Sequence, residues 1–129
     1  MRVKVAATAT RSGVLLRLTE VQKQLICETL MFHADRPDGD RPSIVRLGVD
    51  RASAAQVMKK AAGSNSEFQL NEIHVLFAAL VSAPVMMPSE EVFYERIGFF
   101  REQALALAGG LVSAVGEAPS WTGEPSGSA

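Results

Sequence analysis

The chain has 129 residues, with 13 basic against 14 acidic side chains, 47% hydrophobic and 6% aromatic residues. This length buries one core and not two. The balanced charge argues against a surface built for phosphate backbones, and lone Cys27 excludes an intrachain disulfide framework. A core poor in aromatics is filled by Ala, Val, Leu and Met, which favours packed helices. A single cysteine and an N-terminus without an apolar h-region make the cytoplasm the expected location.

Residues 1–18 read as a small N-terminal β-hairpin: Val3 to Ala7 alternate with charge, Ser12-Gly13 turns the chain, and Val14 to Leu18 return it. Arg2, Lys4, Arg11 and Arg17, with no acid among them, also have the composition of a transit peptide, but the alternation fits a strand better.

From here the sequence repeats itself. Leu16-Arg17-Leu18-Thr19-Glu20-Val21 returns as Phe68-Gln69-Leu70-Asn71-Glu72-Ile73, and Arg46-Leu47-Gly48 with Arg51 and Ala54 returns as Arg96-Ile97-Gly98 with Arg101 and Ala104. The expected fold is therefore mainly α with minor β: two pseudo-symmetric strand, helix, short helix, helix units at about 14–63 and 67–115, packed as one domain over 1–115. In the first unit Thr19 caps a helix to Ala34 and forms a capping box with Gln22. A short helix over Ser43 to Leu47 ends at Gly48. Asp50 then caps a third helix whose stripe is Ala54, Val57, Met58 and Ala61, ahead of Gly63. Residues 63–66 link the units.

The second unit opens with an extended piece over Glu67 to Leu70. The stretch from Ile73 to Met87, interrupted only by His74, Ser82 and Pro84, is apolar on every side and must be covered. Pro84 breaks it short of a membrane span. It predicts a core helix from Asn71, as cap, to Ala83, enclosed by its own domain or by a second chain. A short helix over Ser89 to Ile97 ends at Gly98, and a last helix carries the stripe Ala104, Leu107, Ala108 and Leu111. That helix runs through Gly109 and Gly110 to about Val115, since Leu111, Val112 and Val115 would otherwise be stranded. Ala106, Gly110 and Ala114 form a ridge that lets another helix approach closely. Residues 116–129, with Trp121, read as a disordered tail.

Candidate chemistry is sparse. Cys27 sits on or near the apolar side of the first helix as an inert thiol. His33 lies at a helix C-terminus, where a cation is favoured, and His74 stands beside Glu72. No spacing of His, Cys or acids supports a metal site, and the loop Asp35 to Arg41 lacks the alternating ligands and distal glutamate of a calcium loop. No catalytic, cofactor-binding or metal-binding residue is assigned, and no enzyme activity is expected. Arg51 and Arg101 should pair with acids or cover helix ends. The more telling feature is an asymmetry between equivalent loops: Asp35, Asp38 and Asp40 in one, Met86 and Met87 between Pro84 and Pro88 in the other. Exposed methionines beside acids suit a steered protein partner.

The expected function is a non-enzymatic protein–protein interaction domain: a small bacterial inhibitor or immunity-type protein, or a homodimeric accessory subunit. Its partner-binding residues would be Met86, Met87, Asp35, Asp38 and Asp40. The alternative is a DNA-binding regulator with a helix-turn-helix-like segment at 46–60, presenting Arg51, Ser53, Gln56, Lys59 and Lys60. Nucleic acid is disfavoured by the neutral overall charge, and no membrane association is expected.

Overall fold

A computed structural model describes residues 3–63 and 66–119. Strands β1 (Ala6–Ala9) and β2 (Val14–Arg17) form an antiparallel hairpin, and β3 (Ser66–Phe68) adds to the other side of β2. Helices α1 (Glu20–Ala34), α2 (Asp40–Leu47) and α3 (Arg51–Ala62) precede β3; α4 (Leu70–Met86), α5 (Glu90–Ile97) and α6 (Arg101–Glu117) follow it. The result is the expected mainly helical domain with a small β-hairpin. Residues 64 and 65 of the linker, and Trp121 with the rest of residues 120–129, lie outside the described residues.

Local chemistry explains most of the boundaries. Thr19 and Gln22 exchange the two hydrogen bonds of a capping box, 3.0 and 3.1 Å, and the Asp50 carboxylate accepts from the Ser53 amide at 2.8 Å. The stripes land inward as their spacing requires: Ala54, Val57 and Ala61 on α3, and Ala104, Leu107, Ala108 and Leu111 on α6, are buried. α6 continues through Gly109 and Gly110 to Glu117, two residues beyond the expected end.

Other expectations are corrected. The first strand is 6–9 rather than 3–7, because the ladder with β2 pairs Ala6 with Arg17 and Ala9 with Val14. α2 starts at Asp40, three residues before Ser43, since Pro42 in a first turn has no intrahelical amide bond to forfeit. Asn71 is not the cap of α4; Gln69 is, its amide donating to Glu72 at 2.8 Å. α4 also runs through Pro84, which sits in the last turn, and the helix closes beyond it with the Met87 amide on the Ala83 carbonyl at 2.9 Å.

Most of the stretch from Ile73 to Met87 finds its cover within the chain, and Val85 is the apolar residue of it left exposed. α4 packs against α1, α2, α3 and α6, and Leu76, Leu80 and Ala83 are fully enclosed. The small-residue ridge on α6 meets the segment before β1 rather than a helix. A Cβ at Gly110 would stand 2.6 Å from the Val3 carbonyl oxygen, so only glycine permits this approach. Among the described residues no helix is long and apolar enough to cross a membrane.

Candidate functional site

The densest polar arrangement lies where the end of α1, the loop 35–39 and α2 meet α4. His33 falls on the stripe Ile26, Thr29, Leu30, His33, one face of α1 by its i, i+3, i+4, i+7 spacing, and all four are buried. Its Nε2 stands 3.1 Å from the Ala79 carbonyl of α4, and its Nδ1 accepts from Arg46 Nε at 3.1 Å. These partners select one form of the ring: neutral, with the proton on Nε2. Burial drives the His33 pKa down to about 4; the Ala79 hydrogen bond opposes the shift, and the Arg46 and Arg36 charges add to it. The expected helix-terminal cation is thus corrected: His33 is a neutral link inside the core.

Arg46 carries the chain of hydrogen bonds outward. Its guanidinium grips Asp38 with Nη1 at 2.7 Å and Nη2 at 3.4 Å, and its side chain is 7% exposed. The same guanidinium holds the Asp38 carboxyl below the usual carboxylate range. Arg36 Nε lies 3.7 Å from Asp38. The Arg46 carbonyl, in the last turn of α2, accepts from Ser82 Oγ of α4 at 2.9 Å, which satisfies a helix-end group that has no intrahelical donor.

The other predicted site residues fall around this network. Asp35 accepts from Arg96 Nη2 of α5 at 2.8 Å, and the guanidiniums of Arg36 and Arg96 lie 5.6 and 5.7 Å from the Phe32 ring. Asp40 accepts from the Arg51 amide at 3.1 Å, and the Arg51 guanidinium covers the end of α1 by donating to Ala34 O at 3.3 Å. Each of the three acids is therefore answered by a donor of this chain. Met87 is buried and Met86 is half-buried against the core. The most exposed large apolar residues described are Val45 and Val85, at 87% and 74%. The bond from Ser82 to Arg46 sets both at the same end of the α2–α4 pair, since Val45 adjoins Arg46 and Val85 follows Ser82 by three residues.

The sequence reading missed the Asp38–Arg46–His33–Ala79 chain. Two signals pointed to it: the i, i+7 placement of His33 on a buried stripe, and the recurrence of arginine at 46 and 96. The arrangement suits fixing a loop more than moving a proton, because both ring nitrogens of His33 are already engaged within the protein. Cys27, half-buried, has its thiol pKa raised by burial, which leaves it a poor nucleophile at neutral pH. Among the described residues, no three His, Cys, Asp or Glu side chains are placed to hold a metal ion. No family model, curated protein or solved structure matches this chain.

Proposed function

We propose that the chain is a non-enzymatic protein-binding domain whose contact surface is the end formed by loop 35–39, α2 and the last turn of α4. The observation that carries this reading is the exposure of Val45 and Val85 on backbone pinned by a hydrogen-bonded network that runs from buried His33 through Arg46 to Asp38 at the surface. A small apolar centre with a polar rim on rigid elements is the anatomy of a protein contact. Exposed Asp35, Asp38 and Asp40 belong to the rim, Met86 lies half-buried beside Val85, and buried Met87 supports the surface from within. Such a surface suits an inhibitor or immunity-type protein, or an accessory subunit that pairs with a second copy.

The same reading takes 14–63 and 67–115 as two copies of one unit. In its support, α2 and α5 are both eight residues long and both close on a left-handed glycine, Gly48 at φ 82° and Gly98 at φ 86°. The first acid of each, Asp40 or Glu90, accepts from the backbone amide that opens the next helix, Arg51 or Arg101. The two copies would then differ in their loops, and the proposed surface lies where those loops meet.

The DNA-binding alternative has less behind it. Arg51, though exposed, donates to the end of α1, and Lys60 is bound by Glu72 at 2.7 Å, so two of the three cations of that face already serve the fold. The test is capture from the native cell with the native chain and with the double variant Val45→Asp, Val85→Asp. The expected result is a stoichiometric partner, or a second copy of the chain, retained by the native protein and lost by the folded variant. An identical bound set for both would remove this surface from consideration.

A further inference from the structure

One side of α5 shows how this chain holds an arginine. Arg96 lays its guanidinium 5.7 Å from the Phe32 ring and donates to the Asp35 carboxylate at 2.8 Å. The ring face attracts the flat cation, and the acid beside it takes an N–H of the fork. Ring, carboxylate and arginine all come from the chain itself.

The other side of α5 carries rings and carboxylates without the arginine. Tyr94 lies two residues before Arg96, and side chains two apart on a helix do not share a face. The Tyr94 ring stands 4.9 Å from that of Phe100, which opens α6, with the planes tilted by 30°. Both rings meet water, at 48% and 52% exposure, so the pair is neither a core contact nor covered by a neighbour. Glu91 lies one helical turn before Tyr94 and Glu95, which places all three on the outward side, and both acids are exposed. Among the described residues Glu91 and Glu95 have no hydrogen-bond or ion-pair partner, and no cation lies over Tyr94 or Phe100. Arg101, which follows Phe100, is half-buried with its Nε enclosed.

Charge then selects what this surface accepts. α5 holds three acids and one base, and the base, Arg96, is already bound by Asp35 on the opposite side. An acidic partner is repelled, whereas a cationic one is drawn to the rings. We propose that Tyr94, Phe100, Glu91 and Glu95 form a docking site for an arginine-bearing segment of a partner protein. Its guanidinium lies on the ring pair and its fork donates to a carboxylate, as Arg96 does with Phe32 and Asp35. Arginine fits better than lysine because a planar fork stacks on a ring and meets a carboxylate at once, while an ammonium is a compact and strongly hydrated charge. Exposed tyrosine on a rigid helix is also the kind of side chain that anchors protein contacts. The site does not depend on the corner of Val45 and Val85.

Tyr94 is the one tyrosine of the chain, so incorporation of 3-fluorotyrosine places a single fluorine at the site. Titration with an acetylated hexa-arginine peptide should move that fluorine resonance to saturation, and an acetylated hexa-lysine peptide should bind several-fold more weakly. Glu91→Gln with Glu95→Gln should weaken the arginine peptide roughly fivefold or more at low salt. Raising the ionic strength should weaken binding to the native chain in the same direction. Glu117→Gln, at the far end of α6, should leave the titration unchanged. A resonance that hexa-arginine does not move, equal affinity for the two peptides, or an affinity unaltered in the double glutamine variant would overturn the proposal. If the double variant does not fold, the two peptides compared on the native chain decide alone.

Discussion

Arg46 and Arg96 occupy the same place, each the seventh residue of an eight-residue helix, and both reach the loop after α1. Their surroundings differ. Arg46 is 7% exposed and stands between His33 and Asp38, whereas Arg96 is 35% exposed and meets Asp35, whose own side chain is largely in water. One arginine is part of the interior and the other is a clasp on its surface. An ion pair that water can replace contributes little, while one whose partners have no substitute is costly to break.

Truncating each arginine separates the two environments most clearly. Arg46→Ala strands the Nδ1 of His33 and half-releases Asp38, and should lower the unfolding free energy by about 2–4 kcal/mol in urea titrations. Arg46→Lys should not restore it, since one ammonium cannot reproduce the fork that reaches both partners. Arg96→Ala should cost at most about 1 kcal/mol. Equal losses at the two positions would mean that burial does not separate them.

The pH dependence sharpens the interior half. His33 titrates near 4 in the folded protein, below its ordinary value of 6.5. Between those values the unfolded chain binds a proton that the native chain refuses. The stability from a neutral His33 is complete above pH 6.5, falls as pH drops, and levels off below 4. The integrated loss is about 3 kcal/mol. His33→Gln should flatten the stability curve over that window, as read from thermal melts at stepped pH. Of smaller size, Gly48→Ala and Gly98→Ala should each cost about 1–2 kcal/mol, because both positions hold φ above +80°. The surface variants Val45→Asp and Val85→Asp should shift stability by no more than about 0.5 kcal/mol.

Much of the frame was legible because it is written in local chemistry. Thr19 with Gln22, Asp50, and the stripes Ala54 to Ala61 and Ala104 to Leu111 are short-range signals, and each sits where the spacing put it. What escaped was set by distant partners. His33 looks like a helix-terminal cation until Ala79, 46 residues away, and Arg46 take both of its nitrogens. Gly110 looks like a helix-packing residue until the Val3 carbonyl is found against it. The acids at 35, 38 and 40 look like a free charged rim, but each meets a donor from a later helix. Pro84 looked like a stop, but α4 continues two residues past it and closes through the Met87 amide on the Ala83 carbonyl.

The proposed partner contact at the corner of Val45 and Val85 can be read out by position-specific cross-linking in the native cell. A photoreactive residue is placed at Val45, at Val85 and, on the exposed face of α3, at Lys59. A discrete protein adduct is expected at 45 and 85, its mass distinguishing a second copy of the chain from another protein, and none at 59. Adducts concentrated at 59, or none at 45 and 85, would contradict it.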